Sequence, residues 1–526
     1  MLRLDLVSPL PPVRSGISDY TADLLPELAR QVDLRVLRIE DQPVSQELLE
    51  RYRPEPAARV GDDGRLALYQ VGNNPYHDRV VELARRVPGV ITLHDVVLHH
   101  RLLESTVAKG DWNGYAEALT AEHGALGRAV VEAWRWGTFG RAAQFALAAN
   151  RRLLAAQRGV LVHSRWARGV LEEEIPGLAV RTIPMAVPLP AAASEETRAR
   201  ARARWGLPGD VPVLGSFGFQ SPVKRTEVAV RALALPGLES ARLLVAGQLA
   251  ESYDLLGLAR RLGVADRLTL LGYVPFQDLE QAIAACDLCV NLRYPSAGET
   301  SASLLRVLAL GRPALVSDYA QFRDLPQDVA LRVPLGDSEA AALASLAAGL
   351  LASPERLREL SAAARDYVRR EHDPTRAARA IVEACEEMLG APSTALSTQP
   401  VESELTSWTA TSLPGEISIE GLADWRGGER RWLRIRLTNR GPARWLGAAS
   451  PGGLALELHL SDAAGRDALA HQAWLPLPRD LGAGEPHVFE ILVRRPLGAA
   501  RLRVEPRVLG RERLAVLGGP AWEGEV

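Results

Sequence analysis

The chain has 526 residues, 47% of them hydrophobic and 24% charged, with a formal net charge of -2 at pH 7. That length exceeds what one core supports and predicts about three domains. The near-neutral balance argues against nucleic acid as a partner, and three cysteines argue against a disulfide framework.

The first segment, Leu2 to Val7, predicts a strand despite the charge at Asp5, and it lacks the apolar core of a signal peptide. A helix over Ile17 to Arg30 and strands over Leu34 to Arg38, Leu66 to Gln70 and Val90 to Leu93 are predicted next. Such alternation implies a parallel sheet covered by helices. From about Val97 to Arg158 the pattern is helical throughout, which predicts an insertion in the first sheet domain. Strands are predicted to resume at Gly159 to His163 and Val180 to Ile183. The Pro-rich run Ile183 to Pro190 then reads as a crossing segment, because proline suits neither a ladder nor a helix interior.

A second alternating series predicts strands at Val211 to Phe217, Ala241 to Ala246, Leu268 to Leu271, Leu288 to Leu292 and Ala314 to Val316. This is a doubly wound pattern, with ligands expected at the strands' carboxyl ends. Arg198 to Arg204 reads as a solvated helix stopped by Gly206. Cys286 and Cys289 lie inside an apolar run and read as packing residues. Helices continue to about Leu389, and Ala391 to Thr411 has the Ser, Thr and Pro content of a linker. Short strands at Glu416 to Glu420, Trp432 to Thr438, Leu454 to Leu460, His487 to Val493 and Ala500 to Val504 predict an antiparallel β-sandwich. The longest nearly uncharged apolar run, Ala340 to Ala352, falls short of the roughly 20 residues a membrane helix needs. A cytoplasmic location is expected, with peripheral contact at the inner face of the membrane left open.

One segment carries the chemistry. An apolar strand runs into Gly298-Glu299-Thr300-Ser301, which opens directly into an apolar-periodic helix. The free N–H groups and positive dipole end of a helix N-terminus suit phosphate, whereas the carboxylate of Glu299 suits sugar hydroxyls. Together they describe a pocket for a sugar joined to a diphosphate. Four further loops sit at predicted strand ends: Pro11 to Tyr20 with Gly16, Gly72-Asn73-Asn74, Leu93-His94-Asp95, and Gly215 to Gln220 followed by Lys224-Arg225. Cations at a helix start oppose the dipole, so Lys224-Arg225 suggests an anion there. His94, His99 and His100 match no standard metal-ligand spacing.

These motifs, in this order over about residues 1 to 390, resemble the family 4 glycosyltransferases of GT-B fold. The resemblance implies two facing Rossmann-like domains, residues 1–188 with a helical insertion at about 97–158 and residues 189–390. A linker, 391–412, and a sandwich domain, 413–526, follow. It also implies a retaining hexosyltransferase that uses a nucleotide-diphosphate sugar without a metal or other cofactor, acting on a glycan or glycolipid hydroxyl. By the same resemblance His94 and Glu299 face the donor sugar, Gly16, Lys224, Arg225, Thr300 and Ser301 the diphosphate, and Tyr273-Val274 the base. Two positions depart from the family pattern. Phe219 stands where an arginine of the phosphate clamp is usual, and Arg306 stands where a ribose-binding glutamate is usual. Arg306 then either meets a phosphate or leaves the ribose to another residue, and Asp95, beside His94, is a further site candidate without an assigned role. Those departures motivate an alternative, a non-catalytic carbohydrate- or nucleotide-binding scaffold on a degenerate glycosyltransferase fold.

The C-terminal domain contains Trp425, Trp432, Trp445, Trp474 and Trp522. Core packing is the favoured reading, with stacking on sugar rings the other. Leu437 to Pro442 followed by Trp445 resembles immunoglobulin-like domains appended to bacterial surface-polysaccharide enzymes, which implies holding a glycan or a protein partner.

Overall fold

The structure is a computed structural model describing residues 1–135, 143–191, 194–336, 338–390, 405–407, 410, 412–447, 453–464, 473–508 and 519–526. The chain divides into two compact units, Met1–Ser105 with Asn150–Thr398, and Thr106–Ala149 with Gln399–Val526.

The first unit holds two parallel sheets. The N-terminal sheet comprises β1 (Arg3–Val7), β2 (Asp33–Arg38), β3 (Glu55–Pro56), β4 (Leu66–Val71), β5 (Val90–Leu93), β6 (Gly159–Val162) and β7 (Val180–Thr182), in the order β3-β2-β1-β4-β5-β6-β7. The second comprises β8 (Val213–Phe217), β9 (Arg242–Ala246), β10 (Leu268–Gly272), β11 (Leu288–Asn291), β12 (Ala314–Ser317) and β13 (Ala330–Val333), in the order β10-β9-β8-β11-β12-β13. Every residue of β4, β5, β6, β8, β11 and β12 is buried, as expected for strands covered by helices on both faces. In each sheet the strand order reverses once, beside β1 and β4 and beside β8 and β11. A crevice opens at the carboxyl ends of such strands.

Asp5, the charge noted inside the first strand, is fully buried. Arg35 holds it through two bonds of 2.8 Å, and Arg65 lies 3.1 Å away. The helix Glu195–Arg204 departs from the solvated reading. Arg202 is 2% exposed, and its guanidinium reaches Asp287 at 2.6 Å and the carbonyls of Ala285 and Gly209. An i, i+4 arginine pair, Arg198 and Arg202, therefore shares one partly buried aspartate, Asp287. Cys286 and Cys289 are buried and unpaired, as the packing reading expects.

The helix Pro374–Gly390, grouped by sequence with the second sheet, lies on the first. Its apolar face, Ala377, Ala378, Ile381, Ala384, Cys385 and Met388, packs with the helix Gly16–Leu28 and β6. Arg181 of β7 pairs with Glu387, and Thr375 hydrogen-bonds Glu27 at 3.2 Å. Helical periodicity shows which face must be buried, but not which sheet will bury it.

In the second unit, the segment Trp112–Arg135 is helical on either side of a break at Gly124, where φ is +57°. Two antiparallel sheets follow, β14 (Gly415–Glu420), β15 (Arg430–Asn439) and β18 (Pro486–Arg494) in one, and β17 (Ala473–Pro476), β16 (Leu454–Ser461), β19 (Arg501–Val508) and β20 (Trp522–Glu525) in the other. They share a core in which Trp425 and Trp445 are buried, Trp522 packs against its edge, and Trp432 stands 64% exposed. Most of the tryptophans that can be placed therefore serve packing; the side chain of Trp474 lies outside the description. Among the described residues no helix is long and apolar enough to cross a membrane.

Candidate functional site

Both crevices carry the expected motifs. On the second sheet, β8 ends at Phe217, and Gly218 turns the chain with φ of +92°. Lys224 lies beneath this turn and donates from Nζ to the Phe217 carbonyl at 2.8 Å. A Cβ at residue 218 would come within 3.1 Å of that ammonium, so glycine is needed here for conformation and for space. Burial and the nearby charge of Arg293 hold Lys224 well below the usual lysine value. Arg225 has a different partner from the one expected. It adopts φ of +50° and ion-pairs with buried Glu339. Phe219, at the position lacking the family arginine, is 60% exposed.

At the end of β11 sits a group that the motifs did not single out. The backbone N–H of Arg293 donates to Ser317 Oγ at 2.8 Å, and its guanidinium pairs with Glu299. The neighbouring Tyr294 N–H bonds the Val223 carbonyl at 2.9 Å, which sets this loop alongside Lys224. Arg293 is 12% exposed at its side chain, and burial lowers its pKa to about 10, so it remains cationic at neutral pH. Ser296 Oγ also donates to the Glu299 carboxylate, at 3.1 Å, while Gln321 donates to the Glu299 carbonyl at 2.7 Å. Ser301 caps the helix Ala302–Ala309 by accepting from Leu304 N–H, and its hydroxyl donates to Asn291. Thr300 and Ser301 line a narrow cavity of about 50 Å³ with His163 and Gln321.

The first sheet supplies the facing groups. Ser15 caps the helix Gly16–Leu28, and nothing lies within 4 Å of where a Cβ on Gly16 would stand. Asp95 accepts from Asn73 N–H at 2.9 Å. Burial pushes its carboxyl up to about 6, against the opposing pull of that N–H and of Arg293. His94, at the end of β5, uses Nε2 to reach Gln70 Oε1 at 2.8 Å, and its Nδ1 has no partner. The ring is buried and held well below the ordinary histidine value, chiefly by burial, so it is neutral. It packs against Tyr20 and His163 at centroid distances of 4.9 and 5.0 Å.

Several contacts join the two sheets. Val97 N–H bonds the Ala297 carbonyl at 2.9 Å, and a Cβ on Gly298 would lie 2.7 Å from Val96. Tyr273, proposed for the base, is 54% exposed with the Arg14 guanidinium 4.7 Å over its ring, while Val274 packs against the core. Arg306 is 8% exposed and reaches Asp23 on the opposite sheet's first helix at 2.5 Å. Asp19, one turn earlier, is pushed up to about 6 by burial, with Arg306 opposing. Of the two expectations for Arg306, a phosphate or a vacated ribose position, the structure shows a carboxylate partner instead.

Among the described residues one trio, Glu457, His459 and Glu505, brings metal-ligating atoms within 4.8 Å of one another. It lies on β16 and β19 of the C-terminal domain, where Arg507 approaches Glu457 at 3.7 Å and Arg503 approaches Glu505 at 2.9 Å. Those guanidinium groups supply the balancing charge.

Comparisons agree with this architecture. Residues 211–353 match the family model "Glycosyl transferases group 1". Two curated relatives are D-inositol 3-phosphate glycosyltransferases. That of Nocardia farcinica is 31% identical over 173 residues, 31% of this chain and 38% of the relative. That of Thermobispora bispora is 33% identical over 180 residues, 32% of this chain and 41% of the relative. The chain thus spans about two fifths of the length of these relatives. Among solved structures, Anabaena HepE in complex with UDP and glucose superposes with a TM-score of 0.53 at 14% identity, covering 73% of this chain and 100% of that one. Sucrose-phosphate synthase from Thermosynechococcus elongatus gives 0.50 at 19% identity, covering 74% and 100%. The two parallel-sheet lobes therefore have the GT-B glycosyltransferase fold, and residues 211–353 of the second lobe match the group 1 family model.

Proposed function

We propose that the protein is a retaining hexosyltransferase of family 4 type, moving a sugar from a nucleotide-diphosphate donor to a hydroxyl on a glycan or glycolipid. The observation that carries this is a convergence at the β8/β11 crevice. Lys224, Arg293 and the N-terminus of the helix Ala302–Ala309 gather positive charge beside Glu299. The bond from the sugar's anomeric carbon to the diphosphate oxygen breaks, and its electron pair leaves with the diphosphate. Lys224, Arg293 and the N–H groups after Thr300 stabilise that growing charge. The acceptor oxygen bonds the anomeric carbon on the same face, and its proton passes to the leaving phosphate oxygen. Glu299 and neutral His94 hold sugar hydroxyls, and closure of the lobes excludes water. In this reading Arg225 acts only through Glu339, and Tyr273-Val274 line the base position.

UDP bound to HepE and the inositol phosphate named for the relatives make UDP-sugars and polyol acceptors the first choices for a panel. No metal or cofactor is required in this scheme. We place the protein in the cytoplasm, with the immunoglobulin-like C-terminal domain presenting exposed Trp432 to a glycan or a partner. Incubation with nucleotide sugars tests the reading. Lys224→Ala should lose donor binding, and Glu299→Gln should lose transfer more than nucleotide affinity. Wild-type behaviour of both variants would refute the assignment. The scaffold alternative rests on Arg306, whose ion pair with Asp23 occupies the position expected for a ribose carboxylate. Absence of nucleoside-diphosphate binding by calorimetry would favour it.

A further inference from the structure

Three rings in the first lobe each carry a polar atom that nothing satisfies. His94 Nδ1, His163 Nε2 and the Tyr20 hydroxyl are all buried without a hydrogen-bond partner. The residues are 5%, 9% and 3% exposed, and their ring centroids lie 4.9 to 5.3 Å apart. An unmade buried bond costs about 1–3 kcal/mol, so three in one cluster point to a ligand that completes them.

The chemistry of that ligand follows from the tautomers. His163 Nδ1 faces the Ile183 carbonyl at 3.4 Å, and a carbonyl can only accept, so Nδ1 carries the proton. The ring is neutral, since burial lowers its pKa to about 4. Nε2, on the opposite edge, is then a bare lone pair. His94 is arranged alike, its Nε2 proton directed to Gln70 Oε1, an orientation consistent with the Gln70 amide donating to Thr92 at 3.3 Å. Bare lone pairs repel phosphate and carboxylate but accept from hydroxyl groups.

The position is equally specific. His163 lines the narrow cavity whose other wall is Thr300 and Ser301, at the helix N-terminus of the second lobe. It also lines an adjoining cleft of about 440 Å³, which shares Ser164, Asp324, Tyr367 and His372 with the narrow one. The narrow cavity admits a hydroxyl or a water but no ring, and the cleft is of a size that admits one.

We infer that His163, with Tyr20, forms a hydroxyl-reading subsite beside His94, in which a sugar hydroxyl donates its hydrogen to His163 Nε2 and so sets which sugar is accepted. The inference rests on the glycosyltransferase reading above. Two sources share this chemistry, the transferred sugar and the acceptor.

Calorimetry of the full chain with UDP and with UDP-glucose, together with the acceptor KM, separates them. His163→Phe keeps a ring and removes the lone pair. It should leave UDP affinity within about twofold and weaken a sugar contact by about tenfold. A loss in UDP-glucose binding without acceptor assigns the transferred sugar, and a tenfold rise in acceptor KM alone assigns the acceptor. Both support the subsite. His163→Gln, which restores an acceptor atom, should recover most of the loss, and Tyr20→Phe, which forfeits no existing bond, should show a smaller one in the same direction. Unchanged sugar binding and acceptor KM in a folded His163→Phe protein would overturn the inference. If wild type bound UDP but gained nothing from the glucose, and His163→Phe left the acceptor KM unchanged, the subsite would fail while the nucleotide site stood. If it bound neither, the functional reading would fail and take this inference with it.

Discussion

Asp95→Asn should make the protein more stable at neutral pH. The Asp95 carboxyl is pushed from 3.8 to about 6, mostly by burial, with the Asn73 N–H and Arg293 offsetting part of the rise. Because its folded value lies above its unfolded one, the folded protein binds more protons than the unfolded chain between those two values. Stability is therefore lost as pH rises through that window and is fully restored only below it. At about 1.4 kcal/mol per pKa unit, the ionised carboxylate costs the fold about 3 kcal/mol by pH 7. An amide keeps the acceptor that Asn73 N–H uses and never ionises. Thermal melting of wild type and Asp95→Asn at pH 4 and pH 7.5 measures the difference. The variant should melt several degrees higher at pH 7.5, and the gap should close by pH 4. A variant that melted at or below the wild-type temperature at pH 7.5 would refute the reasoning, as would a gap independent of pH. Carboxyls disfavoured in this way concentrate at functional sites, and this one faces Arg293 across the two lobes.

Two further outcomes are expected. Arg293→Met removes a buried cation beside Lys224 and leaves Glu299 with Ser296 alone among its side-chain donors; UDP affinity should fall by about 10- to 100-fold by calorimetry, as for loss of a charge-assisted bond. Unchanged affinity would remove Arg293 from the diphosphate site. Asp5→Ala removes the buried carboxylate shared by Arg35 and Arg65, whose side chains are 10% and 7% exposed and which keep Asp63 at 3.7 Å and Asp33 at 2.7 Å, and should destabilise the first lobe by about 1–3 kcal/mol in denaturant unfolding. A loss below about 1 kcal/mol would mean that water or other partners replace the carboxylate.

Much of the proposed site is legible in the residue order. Lys224, Glu299, Thr300, Ser301, His94 and Gly16 all follow predicted strands or open predicted helices, and their proposed roles come from that placement together with the family resemblance. Arg293 was overlooked although it ends an apolar strand. A single arginine there looks like any solvated loop residue until Glu299 folds back onto it. His163 obeys the rule that drew attention to His94, a histidine at a strand's carboxyl end, yet only the tertiary packing that gathers it with Tyr20 and His94 leaves its Nε2 buried without a partner. Arg225 shows the opposite case. Its place beside Lys224 suggested a clamp, but Glu339, more than a hundred residues later, captures it.

Residue order by itself determined the alternation of strands and helices, the doubly wound sheets, the Pro-rich crossing and the C-terminal strands, while most of the predicted linker, 391–412, lies outside the described residues. Each of these depends on patterns a few residues long, set by backbone geometry and hydrophobic period. Tertiary structure alone decided which sheet the helix Pro374–Gly390 covers, which carboxylate each buried arginine meets, and which polar atoms are left without partners. Those outcomes depend on distances between segments far apart in the chain, and burial sets their energies by stripping away water that would otherwise satisfy every group.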